Sequence, residues 1–274
     1  MRTFSFSPLE VTASFWRNRE LIAVLTRRAV LGRYRGSYLG VFWMCFQPLL
    51  MLLIYTVFFG YFLQARWNST WMGDGKADYA LILFAGLIPF NLVSECVNAA
   101  PGLILGNVSY VKKIIFPLEV LPLPGMGAAL FQALVSTVIW VVVHLVFRGI
   151  PHATVFWLPV MYLPLLLLVL GLSWLLAVVG AYFRDISHLV GILVMFFMFF
   201  SPIFYSLDSL SSHMRSLVLC NPLASVLENM RRVMCWGGQP DWSRFTFAMI
   251  LNAVVFWIGF AVFQRTRKEF ADGV

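Results

Sequence analysis

The chain has 274 residues, of which 61% are hydrophobic and only 12% charged, with a mean hydropathy of +0.83 and a formal net charge of +8. Soluble domains carry roughly 25% charged residues, so a soluble globular protein is excluded and a polytopic membrane protein is implied. The basic residues crowd the ends of apolar runs instead of forming one soluble patch, which makes lipid headgroups, not nucleic acid, their counter-charge.

At the N-terminus no short apolar core precedes a cleavage site, so no cleaved leader is expected. Ser7-Pro8-Leu9-Glu10 has the form of a helix start, with Ser7 as cap, Pro8 at the first helical position and Glu10 closing a capping box. In the helix this predicts, to about Gly32, Leu21, Ile22, Leu25 and Ala29 share one face while Arg17, Arg27 and Arg28 lie elsewhere. That is the pattern of an amphipathic helix in the headgroup plane; a basic flank that only sets topology is the alternative.

A stretch of thirty residues from Gly36 to Ala65 then contains no Lys, Arg, Asp or Glu. A helix needs about 20 apolar residues to cross a bilayer, so this run crosses, with a kink expected at Pro48. Charge-poor runs predict six spans in all: about 37–63, 79–97, 120–147, 154–181, 187–206 and 244–264. An even number puts both termini on one side. Thirteen Lys and Arg (Arg2, Arg17, Arg19, Arg27, Arg28, Arg33, Arg35, Lys112, Lys113, Arg184, Arg265, Arg267, Lys268) fall on that side, against seven (Arg66, Lys76, Arg148, Arg215, Arg231, Arg232, Arg244) on the other. The excess predicts cytoplasmic termini.

Between spans two and three, Gly106 to Pro117 forms a short amphipathic piece ended by proline, too short to cross and suited to docking in a partner's groove; a surface loop anchored by Ile114, Ile115 and Phe116 is the alternative. Between spans five and six, Leu217 to Leu227 is apolar but interrupted by Asn221-Pro222. It reads as two re-entrant half-helices buried against protein, with Glu228 pairing to Arg231 or Arg232 at i+3 or i+4. The fold class is therefore all-α: six transmembrane helices, an N-terminal interfacial helix and a re-entrant pair. It forms one membrane domain over 1–274, with an interfacial and gate segment at 1–36, the six-span bundle at 37–264 containing the re-entrant segment at about 207–241, and a tail at 265–274. No segment outside the spans is long enough for a soluble core, so soluble catalytic domains are expected on other chains.

Catalytic signatures are missing. The sequence has no P-loop, HExxH or GxSxG, and His144, His152, His188 and His213 have no carboxylate or cysteine at ligand spacing. His144, at a span end, reads as a polar anchor. Glu95 is the one acid well inside an apolar segment, and either serves function or snorkels to the near interface. Cys45, Cys96, Cys220 and Cys235 read as packing residues, with a Cys220–Cys235 disulfide as the alternative if their loop faces an oxidising compartment. Among the abundant aromatics, Trp43, Phe46, Phe199, Phe200, Phe204 and Tyr205 fall within or beside spans and either line a path for stacking sugar rings or pack against lipid.

Four motifs, in this order, resemble the membrane subunits of type-2 ABC exporters of polysaccharides such as O-antigen, capsule or teichoic acid. They are Arg33-Tyr34-Arg35-Gly36-Ser37-Tyr38-Leu39-Gly40 with Gln47-Pro48 behind it; Lys112 to Pro122; Phe183-Arg184-Asp185-Ile186; and Ser201-Pro202-Ile203-Phe204-Tyr205 followed by Asn221-Pro222-Leu223. The resemblance covers nearly the whole chain. It implies a homodimer with two separate ATPase subunits in the inner membrane, no cofactor on this chain, ATP and Mg on the partner, and a lipid-linked polysaccharide as substrate. It also implies that Asn107, Tyr110, Lys112 and Lys113, with Arg184 and Asp185, contact the ATPase, and that Arg33, Tyr34 and Arg35 stand at the cytoplasmic gate. Two other functions fit the same composition: a type-2 exporter of small lipophilic compounds, and a membrane-embedded glycolipid transferase.

Overall fold

A computed structural model describes residues 8–36, 38, 40–62, 76–111, 116–183 and 185–267, and among these all regular structure is helical. The N-terminal stretch forms two helices, α1 (Pro8–Arg17) and α2 (Arg19–Gly32). The turn between them falls at Asn18, whose backbone N–H and Nδ2 both donate to the Ser14 carbonyl, at 3.0 and 2.8 Å. Ser7, the expected cap, lies outside the described residues. Leu21, Ile22, Leu25 and Ala29 are partly covered and Arg17, Arg27 and Arg28 exposed, as their spacing requires.

Among the described residues, four segments are long and apolar enough to cross a membrane: Asp78–Gly102, Leu118–Arg148, Ala153–Tyr182 and Trp242–Thr266. Their α-helical parts are α4 (Lys76–Ala99), α6 (Pro122–Arg148), α7 (Leu158–Tyr182) and α11 (Trp242–Thr266); α5 (Val108–Val111) is the short piece between α4 and α6. The runs expected as spans one and five are shorter apolar helices, Trp43–Phe59 and Ile186–Phe200. The first is α3 (Trp43–Tyr55) continued by a π-helical segment to Phe62, and the second is α8 (Ile186–Phe200). Both are shortened by backbone chemistry. Gly36 and Gly40 take φ of 88° and 50°, values natural to glycine, and hold the chain in turns before Trp43. Ser201-Pro202 ends α8, because proline disfavours helix in the residue before it.

Beyond α8 the chain makes α9 (Ser212–Leu219) and α10 (Pro222–Met234). Asn221 caps α10, its side-chain oxygen accepting from the Leu223 amide at 2.9 Å, and Pro222 takes the first helical position. Cys220 and Cys235 are free thiols, one exposed and one buried, so the disulfide alternative does not hold.

The core is arranged around α4, whose side chains from Asp78 to Phe90 are all buried against α6, α7 and α10. A second cluster lies at one end of the bundle, where Val11 of α1 meets Ile104, Leu118, Val120, Trp174, Phe260 and Phe263. The first helix and the last turns of α11 therefore share an end. α7 and α11 cross so closely that a Cβ on Gly259 would fall on the Gly171 carbonyl. Gly259→Leu is expected to force this crossing apart, costing about 1–3 kcal/mol and lowering the melting temperature of the detergent-solubilised chain. Gly125→Ala in α6, where a Cβ would meet nothing within 4 Å, should leave that temperature unchanged or raise it.

Candidate functional site

Pro48 sits inside α3 and has no amide hydrogen, so the carbonyl of Met44 four residues back loses its helical donor. Gln132, from the middle of α6, supplies one: its Nε2 donates to Met44 O at 3.1 Å, and its Oε1 accepts from the Tyr34 hydroxyl at 3.0 Å. Burial raises the Tyr34 phenol above its ordinary pKa, with Arg33 pulling the other way, so it stays protonated and donates. One amide thus ties the turn after α2 and the start of α3 to α6.

Behind this fastening lies a cavity of about 580 Å³ between α3, α4 and α6. Its walls are mixed. Pro48, Met51, Phe84, Ile88 and Leu92 give apolar surface, while Gln47, Asn91, Ser94, Gln132 and Ser136 present amides and hydroxyls. Arg33 and Glu95 also line it and form an ion pair with each other, both side chains partly exposed. Glu95 is therefore a counter-ion, not an unpaired intramembrane acid. Of the expected gate residues, Arg33 and Tyr34 line the cavity; Arg35 is exposed and is not part of its wall. The chemistry on offer is hydrogen bonding to a polyhydroxylated or phosphorylated group, beside a guanidinium whose carboxylate partner is accessible.

The aromatics form a ladder. Phe204 stacks on Phe199 (5.6 Å) and on Phe59 (6.0 Å), and Phe59 on Tyr79 (5.4 Å). Trp43 meets Phe46 edge to face, Phe200 stacks on Phe196, and the Tyr205 hydroxyl donates to Phe200 O. Phe46 on α3, Phe58 on its π-helical continuation, and Phe196 and Phe199 on α8 are exposed. Phe59, Tyr79 and Phe196 belong to these contacts although the sequence did not single them out. The ladder has no periodicity of its own, because it joins the continuation of α3, the start of α4 and the end of α8.

Arg231, on α10, is fully buried. Its guanidinium donates to three backbone carbonyls, Ile82 on α4 (3.2 Å), Pro202 and Ile203 (2.6 Å), and lies 3.8 Å from Glu228. Gly86 makes room for it, since a Cβ there would collide with the guanidinium. Arg232 is exposed. The expected pair on one helical face thus resolves into Glu228 with Arg231, a pair turned into the core. His144 anchors a helix end: its ring lies 4.9 Å from Trp140 and its Nδ1 is 3.2 Å from Gly149 O.

In the loop before α6, Asn107 donates to Leu103 O at 2.8 Å and Tyr110 stacks on Phe116 at 4.6 Å. Asp185 is exposed just ahead of α8. Lys112, Lys113, Ile114, Ile115 and Arg184 lie outside the described residues. Gln132 and Ser136 were missed by sequence reasoning. Their i, i+4 spacing in a charge-free span puts both on one face, and that was the available signal.

Residues 20–235 match the family model described as ABC-2 type transporter. The chain is 26% identical to the O-antigen export system permease protein RfbA of Myxococcus xanthus, over 97% of this chain and all of that one. It is 22% identical to the protein of the same name in Klebsiella pneumoniae, over 92% and 94% of the two chains. It is 25% identical to the polysialic acid transport protein KpsM of Escherichia coli, over 90% and 93%.

Arg231→Met is expected to destabilise the chain by about 3–5 kcal/mol, because it strands a buried Glu228 and three carbonyls. Arg231→Met with Glu228→Gln should recover part of that loss, as read by thermal unfolding in detergent.

Proposed function

This chain belongs to the ABC-2 type transporter family, and from that premise we propose that it is the permease subunit of an ATP-driven exporter that moves lipid-linked polysaccharide across the inner membrane. The carrying observation is end-to-end similarity to permeases named for O-antigen export and polysialic acid transport. The cavity supports the same reading. Amides, hydroxyls and an ion pair suit a sugar or phosphate group better than a small lipophilic compound. A transferase acting alone would need an acid/base pair, and the Arg33–Glu95 pair is a cation with its counter-ion.

Two copies of this chain pair with two ATPase subunits, which bind ATP and Mg, and the pore runs between the copies. α3 and α8 complete six spans, with both termini cytoplasmic. This is supported by the shared end of α1 and α11 and by the excess of Lys and Arg there. α1 and α2 lie along the membrane surface, in keeping with exposed Trp16, over whose ring Arg19 sits at 4.9 Å. α9 and α10 form the re-entrant outer pair. Asn107, Tyr110, Lys112 and Lys113 seat in the ATPase, with Arg184 and Asp185 as a second contact.

Each ATP-driven closure of the ATPase pair moves this loop and, through it, spans one and five. Arg33 exchanges Glu95 for the phosphate of the lipid carrier at the cytoplasmic mouth. The polymer then advances along the exposed aromatics of α3 and α8, whose rings stack on the apolar faces of sugars.

The test is co-purification with an ATPase, together with identification of the glycan that accumulates inside a deletion strain. Lys112→Glu with Lys113→Glu is expected to reduce surface polysaccharide at least about tenfold, through loss of interfacial charge contacts, while the chain inserts at wild-type levels. Unchanged export would remove this loop from the interface.

A further inference from the structure

At the end of the bundle shared by α1 and α11, Glu119 is buried, and its two carboxylate oxygens go to different parts of the chain. Ser14 Oγ on α1 donates to Oε1 at 2.8 Å, and Arg267 Nη1, just past α11, donates to Oε2 at 2.7 Å. Arg267 Nη2 donates at 3.1 Å to the carbonyl of Phe116, and Trp174 Nε1 on α7 donates at 3.2 Å to the carbonyl of Glu119 itself. The Phe116 ring stacks on Tyr110 in α5, the rings 18° from parallel.

The pair does more than hold the fold. A buried ion pair is a poor source of net stability, and well-packed apolar side chains at such a site do as well or better. What it supplies is direction. A carboxylate and a planar guanidinium fix the angles of everything bonded to them, whereas the apolar contacts around them, Val11, Trp174, Phe260 and Phe263, allow sliding. Every covalent route from the α5 loop to α1 or to the end of α11 is long, with Ser14 and Arg267 lying 105 and 148 residues from Glu119. Glu119 and Arg267 provide the short route.

We propose that Glu119 and Arg267 are a positioning pair that sets the coupling between ATP hydrolysis and transport. They form a rigid joint that carries displacement of α5, in the loop ahead of Phe116, into α1, α7 and α11. The proposal rests on the reading that this loop seats in the ATPase. A push on α5 reaches Phe116 through the Tyr110 stack, Arg267 through the Phe116 carbonyl, and then Ser14 through Glu119. Trp174 ties the same turn to the middle of the bundle.

The experiment uses the permease and its ATPase together and reads polysaccharide exported per ATP hydrolysed. Glu119→Gln and Arg267→Gln are each expected to retain ATP hydrolysis but to lower this quotient about 2- to 30-fold, the range of coupling changes seen for residues that link distant sites. The double variant should be no worse than either single one, because both remove the same joint. Arg267→Lys keeps the charge but lacks the fork, and should fall between wild type and Arg267→Gln. Ser14→Ala removes only a hydroxyl and gives a mild variant should the charge variants assemble poorly; it too is expected to lower the quotient.

Variants that assemble and keep the wild-type quotient overturn the joint, as do variants in which hydrolysis and export fall in proportion. A wild-type chain that exports with no ATPase present overturns the permease reading and the joint with it. A wild-type complex that couples normally, with variants indistinguishable from it, overturns the joint alone.

Discussion

A backbone carbonyl freed inside an apolar environment must find a donor, and this chain meets that requirement with side chains sent from distant segments. Pro48 frees Met44 O, and Gln132 on another helix takes it up. Pro202 ends α8 and leaves the carbonyls of Pro202 and Ile203 outside any helix, and Arg231 donates to both. The next carbonyl along, at Phe204, accepts from the Tyr79 hydroxyl at 2.8 Å. In the same region Asn221 Nδ2 donates to Ser201 Oγ at 2.9 Å, so the break after α8 and the cap of α10 are satisfied together. The prolines that interrupt the helical ladder or end a helix thus also dictate where the polar residues stand.

The same economy governs charge. The ion pairs Arg33–Glu95, Arg148–Asp78 and Glu119–Arg267 join different segments of the chain, while Arg231–Glu228 lies within α10. They differ in what else the cation does. Arg231 and Arg267 also donate to backbone carbonyls and act as structural bolts, while Arg33 has an accessible carboxylate beside a polar cavity. Exposure decides the role: a guanidinium enclosed among carbonyls cannot exchange partners, and one at a cavity mouth can.

The elements whose signal is local were legible in the sequence. Long charge-free runs gave the four long apolar segments to within about five residues, and Asn221-Pro222 marked the start of α10 because cap and first-turn proline are neighbours in sequence. Spans one and five came out too long because hydropathy does not register Gly40 at positive φ or the stop at Ser201-Pro202. The expected N-terminal helix is divided at Asn18, where backbone and side chain share the Ser14 carbonyl, a local arrangement that periodicity does not detect. The site was harder to read than the fold. Arg33, Tyr34 and Glu95 stood out as polar groups at apolar edges, but Gln132 matters because of Met44, 88 residues away, and Glu119 because of Ser14 and Arg267. Such pairings are properties of the tertiary structure, and one sequence carries no trace of them.

Among the apolar helices, α3 and α8, which carry exposed aromatics, are the least held by the core. α7 buries fourteen residues and α10 ten, whereas α3 buries Met44, Pro48 and Leu52, and α8 buries Val190 alone. Few buried apolar contacts mean a low free-energy cost of displacement, so α3 and α8 can shift against the body formed by α4, α6, α7, α10 and α11 while that body stays intact. Beside a few apolar and aromatic contacts, their attachments include polar ones near their ends: Gln132 on Met44 in α3, and Arg231 with Tyr79 just past the end of α8. Polar attachments exchange partners without opening a void, which apolar packing cannot do. Exchange of hydrogen bonds near their ends can therefore move α3 and α8 with little loss of core packing.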